Sequence, residues 1–414
     1  MTRRNHLDRE LAAYLEDRAT SRVPAGLLEE TLSKIGTTPQ RPGWLVPERW
    51  LPGRLTSLVA SVGRAALVVA LFVLLVSLAA ALLAIVGSQR RLPPPYGPAR
   101  PGLLSFTASG DIYVANADGT GRRELTSGSH ADFRPTWSPD GTLIAYESNV
   151  GNASVLVVMA ADGQHPVTVA RDLVQPGDLS WSPDSRTLAV GTATVASAVS
   201  HIYVAEADGS RVSELGGPGL VGYEPAWSPD GNQIAFKTYA PMDALWVMNA
   251  DGSHAHELTS SRGCCDDYAN TQWSPDGTSV AYLAGYGGAH DVWLIDADGT
   301  GARNITNSPE DEYWPAWSPD GSKIAFARMS NRANVGTFVV VSPDGSNPIL
   351  LTGAFVNSNA AVWSPDGTRL IGYIWDPTLQ SNDALAVFDP SGRTVPVIVP
   401  AAGLGEASWQ RLAP

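Results

Sequence analysis

A tryptophan recurs at a nearly constant interval through the last three quarters of this chain. Successive copies are 44 or 46 residues apart, and all but the last are followed by Ser-Pro-Asp: Trp137, Trp181, Trp227, Trp273, Trp317, Trp363 and Trp409. A fixed period of this length is typical of a solenoid or a propeller, in which each repeat is one supersecondary unit. We therefore expect the 414-residue chain to fold largely as a repeat array.

Each interval contains four short apolar runs joined by two turn motifs. After Trp227 comes Ser-Pro-Asp-Gly, in which Pro229 has its φ preset and Gly231 can take the positive φ that ends a hairpin turn. A second motif, Ala-Asp-Gly, precedes the fourth run. Short β-branched and aromatic runs joined by hairpin turns predict one four-stranded antiparallel sheet for each repeat. Ser185 replaces the glycine in the second copy, which should cost about 1 kcal/mol if its φ is positive.

These recurring motifs resemble the TolB-like β-propeller family of WD-type repeats. Six Trp-Ser-Pro-Asp copies, each followed by an Ile-Ala-Phe-like run and an Asp-Gly turn, carry the resemblance over about residues 102–412. The resemblance implies blades arranged around a central channel and a role in binding other molecules. In this sequence the repeated aspartates are interpreted as turn residues, because they recur at every hairpin.

The two ends of the repeat array supply complementary parts of one blade. The first run, 103–109, has no Trp strand before it, and the last Trp strand, 406–412, has no run after it. We predict that strand 406–412 is the innermost strand of the blade formed by 103–127. The predicted fold of 102–414 is therefore all-β, a closed seven-bladed β-propeller of four-stranded antiparallel blades.

The residues before the propeller predict a membrane anchor. Residues 65–86 are apolar except for Ser77, which is long enough for a helix to cross a bilayer. We predict a single transmembrane helix at 65–87, a proline-rich linker at 88–101 and a partly helical cytosolic tail at 1–64. Arginines are equally common on both sides of the helix, so the orientation rests on the basic tail and the acidic body. The predicted location is the cell membrane, with a cytoplasmic tail and an extracytoplasmic propeller.

The propeller region is strongly acidic. Residues 102–414 carry 34 Asp and Glu against 15 Lys and Arg, which argues against nucleic acid as a partner. Six of the seven segments that cross from one blade to the next carry an acid close to the Trp, and symmetry would gather these acids around one mouth of the channel, where they would favour cations or basic segments. The alternative is that exposed loops are acidic for solubility alone. The candidate residues are Asp132, Asp178, Glu224, Asp266, Asp267, Asp311, Glu312 and Glu406.

The remaining reactive side chains give little indication of catalysis. Cys264 and Cys265 are adjacent, so outside the cytosol they could form a strained vicinal disulfide, remain free thiols or pair with another chain. No histidine spacing resembles a metal site, and there is neither a Gly-x-Ser-x-Gly elbow nor a phosphate-binding loop. A peptidase of this architecture would need a further α/β-hydrolase domain. We expect no catalytic residue, no metal and no cofactor.

Three hypotheses of function remain open at this stage. The first is a membrane-anchored exported propeller that binds a protein, a peptide or a cell-envelope polymer. The second is a single-pass sensor whose layout is similar to membrane-bound anti-sigma regulators, with a cytosolic partner at 1–64; the tail has no Cys and so lacks the zinc-binding form of that domain. The third, an enzyme with its site in the channel, would need a polar cluster contributed by several blades.

Overall fold

The computed structural model describes residues 97–412 with gaps at 152, 175–178, 195–196, 218–219, 239–243, 260–270, 286–288, 331–334, 357–360, 377–380, 393 and 401–406. The predicted tail at 1–64, the predicted span at 65–87 and most of the linker at 88–101 lie outside the described residues. Within the described part of the chain, no helix is long and apolar enough to cross a membrane.

Strands account for almost all of the regular structure in these residues. In chain order they are β1 (Arg100–Ala108), β2 (Asp111–Ala115), β3 (Arg123–Glu124), β4 (Asp132–Trp137), β5 (Leu143–Val150), β6 (Ala153–Ala160), β7 (Val167–Val174), β8 (Leu179–Trp181), β9 (Thr187–Thr194), β10 (Ser197–Glu206), β11 (Val212–Glu214), β12 (Tyr223–Trp227), β13 (Gln233–Thr238), β14 (Ala244–Asn249), β15 (His256–Glu257), β16 (Gln272–Trp273), β17 (Ser279–Gly285), β18 (His290–Asp296), β19 (Arg303–Asn304), β20 (Asp311–Trp317), β21 (Ile324–Ser330), β22 (Val335–Val341), β23 (Ile349–Val356), β24 (Val362–Trp363), β25 (Leu370–Asp376), β26 (Ser381–Phe388), β27 (Thr394–Pro400) and β28 (Ser408–Leu412).

The described strands form seven blades of four antiparallel strands, labelled A to G. Blade A consists of β28, β1, β2 and β3, and blades B to G each take four consecutive strands from β4 to β27. Blades B and C are joined into one eight-stranded sheet, because the end of β7 pairs with β9. The prediction of an all-β, seven-bladed propeller is confirmed.

Blade A is completed by the last strand of the propeller. β28 is the innermost strand and pairs antiparallel with β1, with Arg100 opposite Leu412 and Leu104 opposite Trp409. The predicted closure by 406–412 is therefore confirmed, with the observed strand at Ser408–Leu412. β1 begins at Arg100, two residues before the predicted start of the propeller at 102, because Leu412 and Arg411 extend the pairing.

Gln410 follows the last repeated Trp, at the position where the other repeats have the serine of the Ser-Pro-Asp turn. Its Oε1 accepts a hydrogen bond from the N–H of Leu103 at 3.1 Å, and its Nε2 donates to the carbonyl oxygen of Gly141 in blade B at 2.8 Å. A Cβ at Gly102 would come within 2.5 Å of this Oε1, so a larger residue there would displace the side chain of Gln410. One side chain thus ties the last strand to both of its neighbours.

Among the described residues, the hydrophobic core forms seven clusters, one at each boundary between neighbouring blades. At the boundary between blades G and A, Leu104, Phe106 and Trp409 pack against Ile371 and Leu385. The ring is therefore closed by apolar burial as well as by strand pairing, and burial is the larger stabilising term.

The Ser-Pro-Asp-Gly turns are held by their own side chains. In blade D, Oδ1 of Asp230 accepts hydrogen bonds from Oγ of Ser228 at 2.6 Å and from the N–H of Asn232 at 3.0 Å, while Gly231 has a φ of 73°. These turns join the first and second strands of a blade, and the Asp-Gly turns join the third and fourth. Both sets therefore lie on one side of the propeller, here called the turn face. The connections between blades lie on the opposite side, the crossover face.

Ser185 has the positive φ anticipated from the sequence, at 61°, but it also gains a hydrogen bond. Its Oγ accepts from the N–H of Asp140 in the neighbouring turn at 3.1 Å. Ser185→Gly should therefore change the free energy of unfolding by less than about 0.5 kcal/mol, because relieved strain offsets the lost bond. Ser185→Ala keeps the strain and loses the bond, and should destabilise by about 1 kcal/mol. Urea denaturation of the two variants checks this, and a larger loss for the glycine variant would contradict it.

The turn aspartates predict a loss of stability in acid. Burial alone raises the pKa of Asp320, but hydrogen bonds from Ser318 and Ser322 outweigh it and hold the pKa below the ordinary 3.8. The pKa values of Asp140, Asp230 and Asp366 are lowered in the same way. A lowered carboxyl pKa stabilises the folded state above the unfolded value, and this contribution is lost as the pH falls.

We therefore expect the urea midpoint to fall as the pH decreases below about 4. Replacing all four aspartates by asparagine should lower the midpoint at neutral pH and flatten its dependence on pH in this range. An equally steep dependence in the quadruple variant and the native chain would contradict the assignment.

Candidate functional site

The inner strands of all seven blades enclose a central cavity of about 480 Å³. Its wall includes, from each blade, the residue that precedes the repeated Trp: Thr136, Ser180, Ala226, Gln272, Ala316, Val362 and Ser408. At the turn face its edge is formed by the turn prolines Pro275, Pro319 and Pro365, together with Gly97 and Arg411. A concave space of this size with mixed polar and apolar walls is the usual form of a ligand site.

A belt of hydrogen bonds joins the inner strands around this cavity. The indole N–H groups of blades C, E and G donate to the main chain of the preceding blade, Trp181 to Thr136 O (3.2 Å), Trp273 to Ala226 O (3.0 Å) and Trp363 to Ala316 O (3.0 Å). The main-chain N–H groups of blades B, D and F donate to side chains of the preceding blade, Trp137 to Ser408 Oγ (3.2 Å), Trp227 to Ser180 Oγ (3.0 Å) and Trp317 to Gln272 Oε1 (3.3 Å).

The two kinds of hydrogen bond in the belt alternate from blade to blade because blades B, D and F share a backbone bulge. In each of them the inner strand shifts register just before a proline, and the residue before that proline has a positive φ: Arg134 at 56°, Glu224 at 50° and Trp314 at 51°. A bulge interrupts the ladder and leaves main-chain groups available to other partners.

The two kinds of hydrogen bond cannot alternate strictly around an odd number of blades. At the G–A boundary Val362 offers no acceptor side chain, and Nε1 of Trp409 has no hydrogen-bond partner among the described residues.

The same three blades contain ion pairs between the inner and second strands, and at least one side chain of each pair is buried. Glu224 pairs with Lys237 at 2.5 Å in blade D, and Lys237 is completely buried. Glu312, also completely buried, pairs with Arg328 at 2.7 Å in blade F. In blade B, Arg134 lies 3.4 Å from the buried Glu147.

In blade F, the ion pair only partly offsets the effect of burial on the pKa of Glu312. Burial raises the pKa of Glu312, and hydrogen bonds from Thr306 and Arg328 limit the rise. Such pairs are stable only when both charges are present, since a buried charge without its partner is costly.

Four of the eight predicted acids lie in the described residues. Asp132, Glu224, Asp311 and Glu312 are at the beginning of inner strands, on the crossover face. Of these four, Glu224 lines the cavity, while Asp311 lies 3.3 Å from Nδ1 of His290. Asp178, Asp266, Asp267, Glu406 and the pair Cys264–Cys265 lie outside the described residues. The acidic ring stays a prediction, and three of its described members have basic or histidine neighbours.

Within the described residues, no group of three or more His, Cys, Asp or Glu side chains is arranged to hold a metal ion. Of the paired carboxylates in the bulged blades, Glu224 lines the cavity and contacts Lys237. This arrangement provides shape and hydrogen-bonding groups for binding.

Comparison with known protein families agrees with this geometry. Residues 151–413 match the model of the TolB beta propeller domain. The chain belongs to this TolB propeller family. The match covers well over half of the chain and includes blades C to G, the last part of blade B and the closing strand.

Individual relatives of this TolB-like propeller are proteins of different kinds. It is 30% identical over 181 residues to the Tol-Pal system protein TolB of Anaeromyxobacter dehalogenans, a match that covers 43% of this chain and 41% of that protein. The crystal structure of TolB from Acinetobacter baumannii superposes with a TM-score of 0.50 at 16% identity, over 74% of this chain and 81% of that one. A puromycin-hydrolyzing peptidase of Mycobacterium tuberculosis superposes with a TM-score of 0.53 at 16% identity, over 76% and 57%. The two superpositions show a shared fold.

Sequence reasoning missed the belt and the ion pairs of this TolB-like propeller. The sequence signal for both is a five-residue pattern: an aromatic residue, any residue, proline, a small residue and the repeated Trp. This pattern occurs only in alternate blades, as FRPTW, YEPAW and YWPAW. A comparison of odd with even repeats, in addition to the search for one consensus, would have revealed it.

Proposed function

We propose that this TolB-like propeller is a membrane-anchored, exported binding module whose partner is a protein, a peptide or a cell-envelope polymer. Propellers of this family are typically protein-binding modules. On this proposal the chain acts by binding and not by catalysis, residues 65–87 anchor it in the cell membrane, and the partner contacts the crossover face.

The observation that carries the proposal is the position of the two ends of the propeller. β1 is the second strand of blade A and therefore starts at the turn face, where Arg100 lies opposite Leu412. The N–H of Ala99 donates to the carbonyl oxygen of Pro365, in the Ser-Pro-Asp-Gly turn of blade G, at 2.7 Å. Both ends of the described propeller, at Ala99 and Leu412, thus lie on the turn face.

The crossover face is the proposed contact surface for the partner. Asp132 and Asp311 begin inner strands on this face. The predicted acids at 178, 266–267 and 406 lie outside the described residues, and on this proposal they would extend the same acidic surface.

Crosslinking of the full-length chain in its native membrane tests this proposal. The crossover variant replaces Asp178, Asp266, Asp267 and Glu406 by their amides. The matched control replaces Asp118, Asp208, Asp251 and Asp298 by asparagine on the turn face, where each accepts a hydrogen bond from the N–H two residues on. Both variants remove four charges.

We expect recovery of a basic partner to fall about tenfold for the crossover variant and to change little for the control. Equal recovery from the native chain and both variants would contradict a role for these acids. Fractionation of the native chain with soluble proteins would contradict the anchor. Capture of a partner by residues 1–64 alone would favour the sensor hypothesis instead.

A further inference from the structure

The belt of hydrogen bonds uses the polar groups of the cavity wall unequally. In all six bonds a repeated Trp supplies the hydrogen, and the residue before the repeated Trp of the preceding blade supplies the acceptor. These acceptors are the carbonyl oxygens of Thr136, Ala226 and Ala316 and the side-chain oxygens of Ser180, Gln272 and Ser408. The belt therefore occupies acceptors of the wall and none of its donors.

Three side-chain donors of the wall remain available. Oε1 of Gln272 accepts from the main-chain N–H of Trp317, which can only donate, so the amide Nε2 faces away from that contact. The hydroxyl groups of Ser180 and Ser408 each accept one N–H and keep their own hydrogen. Within the described part of the chain, no group accepts a hydrogen bond from these two hydroxyls or from Nε2 of Gln272.

These donors lie at one level of the cavity, because each belongs to the residue before a repeated Trp. Ser408, Ser180 and Gln272 occupy this position in blades A, C and E. The other four blades have three apolar residues and one threonine there: Ala226, Ala316, Val362 and Thr136. The hydroxyl of this threonine donates to the carbonyl oxygen of Arg134 in its own strand. All seven positions are described, and none of them is a carboxylate.

The charged residues of the wall also favour an anion at this level. Glu224 lies toward the crossover face, where its ion pair with Lys237 neutralises it. Arg411 contributes a positive charge at the turn-face edge. An anion beside the three donors is therefore attracted from the turn-face side and meets a neutralised carboxylate on the other.

We propose that the central cavity binds a small carboxylate through Ser180, Gln272 and Ser408. Ionised carboxylate oxygens only accept hydrogen bonds, and bonds to a charged acceptor are the stronger kind. A cavity of about 480 Å³ has the size of an ordinary small-molecule site. This ligand is distinct from the proposed macromolecular partner on the crossover face, and its binding depends neither on that partner nor on a membrane anchor.

Isothermal titration calorimetry of the full-length chain in an uncharged detergent tests this site. The probes are succinate and citrate, with putrescine as a cation of similar size to succinate, all at equal ionic strength. We expect saturable binding of at least one of the two carboxylates and none of putrescine. Saturable binding of putrescine, or of no probe at all, would overturn the proposal.

Gln272→Glu shows whether the carboxylate binds at the donors. Glutamate keeps an oxygen for the N–H of Trp317, but it replaces the amide hydrogens by an acceptor of the same charge as the ligand. Carboxylate affinity should fall about tenfold to a hundredfold. The matched control, Gln164→Glu, adds the same charge in an exposed turn of blade B and should leave the affinity unchanged. Equal affinity in the native chain and both variants would place the ligand elsewhere and overturn the proposal.

Ser180→Ala provides a second variant that adds no charge. It removes one of the three donors and should weaken carboxylate binding about tenfold. The urea midpoint of each variant, measured in parallel, shows whether the fold is kept. Native affinity in a folded Ser180→Ala chain would likewise contradict binding through these donors.

Discussion

Replacing Trp409 by alanine should lower the free energy of unfolding by about 3–5 kcal/mol, the usual cost of deleting a buried tryptophan. Trp409 is 6% exposed and packs at the boundary between blades G and A. Its Nε1 has no hydrogen-bond partner among the described residues, so the loss should come from packing. Urea denaturation followed by circular dichroism measures it.

Trp227 provides the matched control for this prediction. It is 8% exposed, its Nε1 likewise has no partner in the described part of the chain, and it packs between blades C and D. Trp227→Ala should cost a similar amount of stability. Hydrogen exchange should distinguish the variants, with faster exchange in blades A and G for Trp409→Ala and in blades C and D for Trp227→Ala. Faster exchange in the same blades for both variants would contradict the assigned position of the last strand.

Replacing Lys237 by methionine should destabilise the protein by about 3–5 kcal/mol, because Glu224 would keep its charge at the cavity wall without the opposite charge of Lys237. Adding Glu224→Gln should restore most of this loss, since removing both charges of a buried pair is often close to neutral. A double-mutant cycle with urea denaturation measures the coupling between the two residues.

The pair in blade B serves as the comparison. Arg134 is 36% exposed at its side chain, against 0% for Lys237, so water can replace part of its interaction with Glu147. Arg134→Met should therefore cost clearly less than Lys237→Met. Additive single and double variants at Glu224 and Lys237 would show that the pair contributes nothing beyond its separate residues.

The number of blades, their strand order and the closure could be predicted from the sequence for a local reason. Turn chemistry and short apolar runs repeat within each interval, so one reading of Trp227 to Glu257 applies to the other copies as well. The closure followed from matching the incomplete ends at 103 and 412. Both arguments depend on neighbours in the sequence or on the repeat itself.

The details of the channel wall could not be predicted in the same way. The predicted acids were treated as one equivalent set, but Glu224 and Glu312 are paired with Lys237 and Arg328 on the adjacent strand. Which side chains meet across a bulged strand depends on register, and a shift of one residue exchanges the two faces of a strand. A consensus repeat averages over such differences between blades.

The most direct test of the central claim, the pairing of the last strand with β1, is disulfide formation across that pair. Cysteines placed at Arg100 and Leu412, with Cys264 and Cys265 replaced by serine, should form an intramolecular bond on mild oxidation, because these positions are directly opposite each other and exposed. A chain with cysteines at Arg100 and Leu350, exposed on blade F, should form none. A bond between 100 and 412 in high yield is the result that the closed ring predicts. Its absence, with both thiols reactive in the folded protein, would contradict the closed propeller.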